Sequence, residues 1–391
     1  MQTSLGLFFL FILTPNGYAQ SVGDITIGSK YVMHSDILDE NREYWVSLPP
    51  SYDQAYQSHK TYPILIVLDG RSLFGPVTEM INHMSTSRNG SRRVPEMIVV
   101  GIQSTNRERD FTPDKIVTVR KNDTGGGDQF LAFLEKELFP VLQSTYRASS
   151  YRVLVGHSLG GLLACHAYMK EQTLFNAFIA IDPSFGTWDM ATMDQKIDAV
   201  TNVSFDRFLY MATANWGARN LRNRDRHVRF YESLNQKNSA DLFRAQLEYF
   251  ENENHFSIPL IAFYNGISSM FKGYGLSYRA VTSLKQLTAH YETISIRLSA
   301  DFQAPEELVD RVAHQFMRSD DPEKKAVAYE FFEMNTTNFP HSFTALMSLA
   351  DAQETLGDME NAIESYKKAL ELAPENGNAE NRLNILLNAK N

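Results

Sequence analysis

The pentapeptide G-H-S-L-G at 156–160 places a serine between two glycines, after the apolar run "YRVLV" and before the small, apolar run "GLLACHAY". A serine that stands at a sharp turn from a strand into a helix can attack a carbonyl carbon. In so sharp a turn, we expect that only glycine fits two residues before and after the serine. The backbone N–H of Leu159 would then point at the oxyanion that develops on the attacked carbonyl. The pattern predicts Ser158 as a nucleophile, against the alternative of a purely structural turn.

A serine hydroxyl needs a base that takes its proton. We call the turn at Ser158 the elbow. Outside the elbow and the helix that follows it, five histidines are candidates for this role: His227, His255, His290, His314 and His341. His255 lies in "YFENENHFSIP", just after a predicted strand. Loops at the carboxyl ends of strands are where an α/β sheet presents its reactive groups. We therefore predict His255 as the base, because the others lie in an arginine-rich helical run or in and near the helical C-terminal region.

The third member of such a site orients the imidazole and stabilises the imidazolium. The chain order serine, acid, histidine puts this acid between the nucleophile and the base. The predicted strand "RFLYMATA" ends in Asn215-Trp216-Gly217, where no carboxylate follows. Asp225 is the next candidate, and we predict it as the acid. Glu251 or Glu253 from the histidine loop, or a Ser–His dyad, remain alternatives.

The elements that must position these residues are short apolar runs alternating with helical stretches from Asp24 to about Gly275. The runs that read as strands are "REYWVSL", "YPILIVLDG", "EMIVVGI", "RVLVG", "AFIAID", "RFLYMATA" and "QLEYF". Continuous apolar strands that alternate with helices predict an α/β fold with a mostly parallel sheet covered on both faces.

After about residue 281 the pattern becomes helical and repetitive. Three positions recur at a separation of 34 residues, where Ala328, Phe332 and Pro340 return as Ala362, Tyr366 and Pro374. The second copy, at 343–376, has the large and small packing residues of a tetratricopeptide repeat, whereas the first copy is degenerate. "AENRLNILLNAK" predicts a closing helix. We therefore divide the chain into a signal segment at 1–19, an α/β domain at 20–280 and a small all-α repeat region at 281–391.

Targeting and charge narrow the functional class. The opening "LGLFFLFIL" and the small residues up to Ala19 are typical of a cleaved secretory signal, which predicts export to a bacterial periplasm or out of the cell. The run is far shorter than the roughly 20 residues of a membrane span, so we expect no span after cleavage. The single Cys165 excludes an internal disulfide. The net charge of −9 arises entirely within 301–391, which argues against nucleic acid as a partner.

Five blocks follow one another in order: "REYWVSLPPSYD…YPILIVLDGRSLF", "VVGIQSTNRERDFTP", "GGGDQFLAFLEKELFP", "VGHSLGG" and "ENHFSIP". With these blocks the chain resembles the esterase D/enterochelin esterase group of α/β-hydrolases, over about 24–275. Some bacterial members look similar to the end of the chain, with tetratricopeptide-like repeats after the hydrolase. The resemblance implies an α/β-hydrolase fold without a large cap, acting on carboxylic esters. We expect no cofactor and no metal.

The resemblance also carries over single positions. By its match to the "LDG" block, it implies the backbone N–H of Arg71 as the second oxyanion donor, beside that of Leu159. Asp182-Pro183-Ser184 stands where the family has an "SPS" loop beside the pocket. The family commonly has a carboxylate just beyond the strand that ends here at Ala214. Asn215 departs from that pattern and leaves the acid in doubt.

Substrate residues are less defined by the sequence. We predict Arg109, Trp188 and Trp216 as substrate-binding residues; ion pairing for the arginine and ordinary packing for the tryptophans are the alternatives. Five arginines in "NWGARNLRNRDRHVRF" would attract an anionic substrate such as a catecholate siderophore ester, or form a solvated helix face.

The function predicted from the sequence is a serine esterase that works through an acyl-enzyme and acts on a small-molecule ester of the siderophore or hydroxy-acid type. The alternative is a repeat-bearing interaction scaffold with a vestigial hydrolase domain. The helical repeats would bind a protein partner, mediate self-association or shield the surface of the hydrolase domain, and the sequence does not rank these three uses.

Overall fold

A computed structural model describes residues 23–389 except 55–59, 88–91, 116–122, 171–173, 188–189, 200–206, 218–220 and 238–243. The proposed signal segment at 1–19 and Trp188 therefore lie outside the described residues. Within those residues, no helix has both the length and the apolar character that crossing a bilayer requires.

In the described part of the chain, eight strands form one sheet in the order β1-β2-β4-β3-β5-β6-β7-β8. The strands are β1 (Ser29–Ser35), β2 (Glu40–Ser47), β3 (Tyr62–Val67), β4 (Ile98–Ile102), β5 (Ala148–His157), β6 (Ala177–Ile181), β7 (Phe208–Ala214) and β8 (Ala245–Phe250). The pairs β1–β2 and β2–β4 are antiparallel, and all pairs from β4 to β8 are parallel. The predicted α/β fold with a mostly parallel sheet is confirmed.

Helices connect the strands and continue after the last one. Those before β8 are α1 (Gly70–Ser85), α2 (Arg107–Phe111), α3 (Gly127–Phe133), a π-helical turn (Leu134–Leu138), α4 (Phe139–Thr145), α5 (Leu159–Tyr168), a 3₁₀ turn (Phe185–Thr187), α6 (Met190–Ala199) and α7 (Arg222–Lys237). Those after it are α8 (Ile258–Met270), a 3₁₀ turn (Tyr278–Ala280), α9 (Leu284–Leu298), α10 (Glu306–Met317), α11 (Pro322–Asn338), α12 (Phe343–Thr355), α13 (Met359–Leu372) and α14 (Gly377–Ala389).

The central strands are apolar along their whole length because helices cover both faces of the sheet. Every residue of β3, β4, β6 and β7 is buried. One face packs against α1 and α8, and the other packs against α3, α4 and α5. β1, which the sequence does not predict as a strand, lies at the edge of the sheet, and its first four residues are exposed. An exposed edge strand needs no alternation of apolar residues, and β1 therefore lacks the pattern of a core strand.

The C-terminal helices form two apolar clusters that meet at α12. The cluster that holds α1 and α8 against the sheet continues into α9, α10 and α11 and includes Leu349 and Ala352 of α12, whereas other residues of α12 share a second cluster with α13 and α14. The repeated positions pack as predicted: Ala328 and Phe332 are buried in α11, and Ala362 and Tyr366 are buried in α13. The domain boundary near residue 281 stays a prediction, and the first cluster runs across it.

Strand register aligns the carboxyl ends of the parallel strands at one edge of the sheet. Val67 of β3 pairs with Val155 of β5, and His157 of β5 pairs with Ile181 of β6. At the next two strands, Ala214 pairs with Phe250. The loops that follow β3, β5, β6, β7 and β8 therefore lie side by side at this edge.

Candidate active site

Ser158 forms the turn between β5 and α5, and its backbone has φ 60° and ψ −117°. A positive φ is uncommon for a residue with a side chain, and such backbone strain clusters at functional sites. A Cβ on Gly156 would lie 2.2 Å from the carbonyl oxygen of Gly160, so this position requires glycine. A Cβ on Gly160 would come no closer than 3.4 Å to Leu68, an ordinary contact. The expectation that only glycine fits at both ends of the motif is thus correct for the first glycine alone.

The imidazole of His255 lies next to the hydroxyl of Ser158. It lies in the loop between β8 and α8, and its Nε2 is 3.1 Å from Ser158 Oγ. Asn254 shapes the loop, because its Oδ1 accepts hydrogen bonds from the N–H groups of Phe256 and Ser257 at 2.9 and 3.2 Å. The predicted nucleophile and the predicted base are therefore within proton-transfer distance.

Asn215 stands at the position where the family commonly has a carboxylate. It forms hydrogen bonds to the histidine loop, the segment at 251–257 that carries His255. Its backbone N–H donates to the carbonyl oxygen of Glu253 at 2.8 Å, and its amide Nδ2 donates to the carbonyl oxygen of Glu251 at 2.7 Å. Both glutamates thus contribute backbone oxygens. No described hydrogen bond or ion pair joins either carboxylate to His255.

The carboxylate that contacts the base belongs to Asp182, the first residue after β6. Its Oδ2 lies 2.5 Å from His255 Nδ1 and accepts the indole N–H of Trp216 at 2.9 Å, and its Oδ1 accepts the N–H of Ala214 at 3.1 Å. The side chain is fully buried. Burial opposes ionisation, but the hydrogen bond from His255, the nearby His227 and the Ala214 N–H lower the pKa of Asp182. An ionised Asp182 therefore accepts the Nδ1–H of His255.

Asp225 is not at the site, which corrects the prediction of the acid. It is exposed in the first turn of α7, two residues before His227, which is fully buried. Residues two apart on a helix point about 200° away from each other. The register that turns His227 toward the sheet therefore turns Asp225 outward. The chain order serine, acid, histidine still holds, with Asp182 in the middle place.

Sequence reasoning missed Asp182 although a signal was present. The residue directly follows the buried run "AFIAI", which forms the strand next to the one that carries the elbow. An acid at the carboxyl end of that neighbouring strand can reach the same edge as the serine. The resemblance aligns Asp182 with the first serine of the "SPS" loop, which indicates a pocket residue rather than a catalytic one.

Hydrogen bonds and ring contacts hold the imidazole of His255 in place. Because Nδ1–H donates to Asp182, Nε2 of the neutral ring is the acceptor for the hydroxyl of Ser158. The ring contacts those of His157 and Trp216, with centroid distances of 4.4 and 4.7 Å and tilts of 39° and 36°. Burial and the adjacent His255 lower the pKa of His157 to about 4. His157 is therefore neutral at pH 7 and packs against the base.

A second serine contacts the nucleophile. Ser184 Oγ is 2.9 Å from Ser158 Oγ, and the Ser184 N–H donates to the carbonyl oxygen of Ser158 at 3.0 Å. Because the Ser158 hydroxyl donates to His255, the Ser184 hydroxyl is the donor in this pair. His227 supports the same loop, since its Nε2 is 2.7 Å from the carbonyl oxygen of Pro183.

The two predicted oxyanion donors lie in the first turns of helices. Leu159 is the first residue of α5 and Arg71 is the second of α1, and N–H groups in a first turn have no acceptor within the helix. Asp69, which precedes α1 with a φ of 55°, pairs with Arg107 at 2.7 Å. Arg107 Nη2 also donates to the carbonyl oxygen of His157 at 3.1 Å, and so links the start of α1 to the elbow.

Arg109, a predicted substrate residue, forms ion pairs within the protein. Its Nη2 is 2.6 Å from Glu40 Oε1, and its Nε donates to Asp110 Oδ1 at 2.9 Å. The hydrogen bonds that Arg109 donates to the carboxylates of Glu40 and Asp110 raise the pKa of Arg109. No described contact joins Arg109 to Ser158, and its role in substrate binding stays a prediction.

Several of the arginines near α7 also have partners. Arg224 stacks on the ring of Tyr249 at 3.9 Å, Arg226 donates to the carbonyl oxygen of Phe185 at 3.2 Å, and Arg229 pairs with Asp194. Within the described residues, no group of three His, Cys, Asp or Glu side chains is arranged to hold a metal ion.

Two family models match the chain. The Esterase model covers residues 35–243, more than half of the chain, and a tetratricopeptide repeat model covers residues 343–376, the second copy of the repeat predicted from the sequence. Ferri-bacillibactin esterase BesA of Bacillus subtilis is 28% identical over 188 residues, which are 44% of this chain and 64% of BesA. The siderophore triacetylfusarinine C esterase of Aspergillus fumigatus is 30% identical over 150 residues, 36% of this chain and 50% of the relative. The chain thus spans between half and two thirds of these relatives.

Solved structures extend the similarity. An IroE-like serine hydrolase from Shewanella oneidensis has a TM-score of 0.68 and 27% identity, and the match covers 78% of this chain and 98% of that one. A protein from Capnocytophaga ochracea has a TM-score of 0.58 and 19% identity over 92% of this chain and 99% of its own, which shows a shared fold. The α/β-hydrolase resemblance inferred from the sequence is confirmed.

Proposed function

Because this chain belongs to the Esterase family, we propose that it hydrolyses carboxylic esters with Ser158 as nucleophile, His255 as general base and Asp182 as the acid that orients the base. The observation that carries the proposal is one continuous hydrogen-bonded chain. It runs from Ser158 Oγ to His255 Nε2 over 3.1 Å and from His255 Nδ1 to Asp182 Oδ2 over 2.5 Å. This is the arrangement that raises the nucleophilicity of a serine hydroxyl.

The mechanism proceeds by double displacement. Ser158 Oγ attacks the ester carbonyl carbon while His255 takes its proton, and Asp182 stabilises the resulting imidazolium. The N–H groups of Leu159 and Arg71 donate to the tetrahedral oxyanion. His255 then gives the proton to the departing alcohol, and the acyl group stays on Ser158. A water molecule, deprotonated by His255, attacks the acyl carbon. The bond from this carbon to Ser158 Oγ then breaks, His255 returns the proton to Ser158 Oγ, and the carboxylic acid is released.

For the substrate, we propose an ester of the siderophore or a related hydroxy-acid class. Two relatives are named as siderophore esterases, one for ferri-bacillibactin and one for triacetylfusarinine C. The apolar segment before Ala19 supports the further proposal that the enzyme is exported. The second candidate function, a protein-binding scaffold, is favoured by the tetratricopeptide match at 343–376. The repeats would then bind a protein partner or a second copy of the chain.

Labelling with a fluorophosphonate tests the proposal, because such a probe reacts with an activated serine. We expect wild type to be labelled at neutral pH and Ser158→Ala to be unlabelled. Ser144→Ala is the matched control: Ser144 is an exposed serine on α4 whose hydroxyl donates to a backbone oxygen, and its loss should leave labelling unchanged.

An ester panel then defines the substrate. Simple acyl esters of graded length are compared with ferric catecholate and hydroxamate esters, and we expect the ferric esters to give the highest kcat/KM. A wild-type protein that neither labels nor hydrolyses any ester, while properly folded, would contradict the hydrolase proposal and favour the scaffold.

A further inference from the structure

We infer that Trp216 is a positioning residue of the catalytic site, which holds the carboxylate of Asp182 and the imidazole of His255 in register with Ser158. This inference rests on the proposed function and adds to it a residue that acts through two others. The sequence singles out Trp216 only for its aromatic ring as a possible substrate contact.

The first contact is a hydrogen bond to the acid. Trp216 Nε1–H donates to Asp182 Oδ2 at 2.9 Å, the same oxygen that accepts His255 Nδ1–H at 2.5 Å. The other oxygen, Oδ1, accepts the N–H of Ala214 at 3.1 Å. A carboxylate with donors on both oxygens cannot rotate without breaking one of these bonds. The indole N–H therefore fixes the orientation of the oxygen that faces the base.

The second contact is between the ring of Trp216 and that of His255. The indole of Trp216 lies 4.7 Å from the imidazole of His255 at 36°, and His157 lies 4.4 Å away at 39°. Contacts with two rings restrict rotation of the imidazole and so keep Nε2 aimed at Ser158 Oγ. The indole, with its centroid within 6 Å, also attracts the imidazolium that forms when the base takes a proton. One side chain thus restrains both partners of the nucleophile.

The backbone at the end of β7 places the indole here. Trp216 is the second residue after β7, and its neighbour Asn215 bonds to the carbonyl oxygens of Glu251 and Glu253 in the histidine loop. Gly217 adopts a φ of 73° and its N–H donates to Asn215 Oδ1 at 2.9 Å, which closes the turn. The segment 215–217 is therefore tied to the same loop whose histidine the indole contacts.

Two variants separate the contacts. Trp216→Phe keeps an aromatic face and loses the N–H donor, and Trp216→Ala loses both. We expect kcat to fall about tenfold for Trp216→Phe, because a hydrogen bond to a charged group is lost. For Trp216→Ala we expect a loss of about a hundredfold, because the base also loses its alignment. KM should stay unchanged for every ester, whatever the size of its acyl group.

The control is Tyr264→Ala. Tyr264 is 36% exposed, close to the 39% of Trp216, and its ring contacts Arg93 at 5.2 Å, with no described contact to His255 or Asp182. Its kcat should stay within about twofold of wild type. The concentration of active enzyme in every sample is titrated with a small fluorophosphonate, so that misfolded protein does not lower the measured kcat. The limiting rate of phosphonylation, which involves no large substrate, should fall in parallel with kcat.

The outcomes are distinct. If Trp216→Phe and Trp216→Ala keep the wild-type kcat and phosphonylation rate, and only KM for large or aromatic esters rises, Trp216 is a substrate contact and the inference is wrong. If wild type itself shows no titratable serine, the proposed function fails first and the inference fails with it. A parallel loss of kcat and phosphonylation rate at constant KM supports the positioning role.

Discussion

In this chain the carboxylate that contacts His255 comes from Asp182 after β6, and not from position 215 after β7. β6 and β7 are neighbours in the sheet, so the side chain of an acid after β6 can extend past the end of β7 and reach the loop that follows β8. The hydrogen bond from the Ala214 N–H to Asp182 Oδ1 marks this crossing. Asn215 is thereby left to bind the backbone of the histidine loop. The departure at Asn215 thus comes with a complete hydrogen-bonded chain at Ser158.

The acid can be tested by comparing Asp182→Asn with Asp225→Asn. An amide at position 182 keeps the volume but can donate to Nδ1, which favours the wrong tautomer of His255. We expect kcat/KM to fall by about 10³–10⁴, as in other Ser–His–Asp sites. Asp225→Asn changes an exposed residue and should leave kcat/KM within about twofold. Initial rates on an activated acyl ester measure both variants, and equal losses would contradict the assignment of Asp182.

At the scale of the elements, the elbow depends on one close approach between the end of β5 and the start of α5. A Cβ at position 156 would lie 2.2 Å from the carbonyl oxygen of Gly160 and 2.9 Å from the N–H nitrogen of Gly161. These are backbone atoms, which cannot move aside as the end of a long side chain can. The first glycine of the motif is therefore a requirement of the turn and the second is not.

This difference predicts opposite results for two alanine variants. Gly156→Ala should cost on the order of 4 kcal/mol in the free energy of unfolding, because strand and helix must separate. Gly160→Ala should leave the protein as stable or stabilise it by up to about 1 kcal/mol, because alanine favours the helix and meets Leu68 no closer than 3.4 Å. Chemical denaturation measures both. A Gly156→Ala variant as stable as wild type would refute the steric argument.

The difference between local patterns and contacts between distant parts of the chain explains how much of the fold and of the site could be predicted from the sequence. Ser158 and His255 follow from local patterns, because a strand, a turn and a helix leave their signature in adjacent residues. The repeat at 343–376 follows from its period of 34 residues. Asp182 does not, because its contact with His255 spans 73 residues of chain and depends on how β6, β7 and β8 lie side by side. The indole contacts of Trp216 depend on the same tertiary placement.

At the scale of the whole molecule, the helices after residue 281 are part of what holds the sheet. The apolar cluster beneath the elbow strand, which includes Val153 and Val155, is continuous with Leu308 and Val309 of α10. Arg92 Nη2, just before β4, also pairs with Glu307 Oε1 of α10 at 2.6 Å. We therefore expect the sheet and α9–α11 to unfold together. Helix α12 contributes Leu349 and Ala352 to the same cluster, whereas Leu346 and helices α13 and α14 belong to the second cluster, which we expect to add less to the stability of the sheet.

Two leucine-to-alanine variants test this coupling. Leu308 is fully buried in the shared cluster, and Leu346 is 8% exposed in the cluster of α12–α14. Leu308→Ala should cost about 2–5 kcal/mol through lost burial and the cavity it leaves. Because that loss falls on the unit that carries Ser158, the temperature at which fluorophosphonate labelling disappears should fall together with the unfolding transition seen by circular dichroism. Leu346→Ala should melt part of the helical signal early and leave the labelling temperature unchanged. If Leu308→Ala also left it unchanged, the sheet would be stable without the helices that follow it.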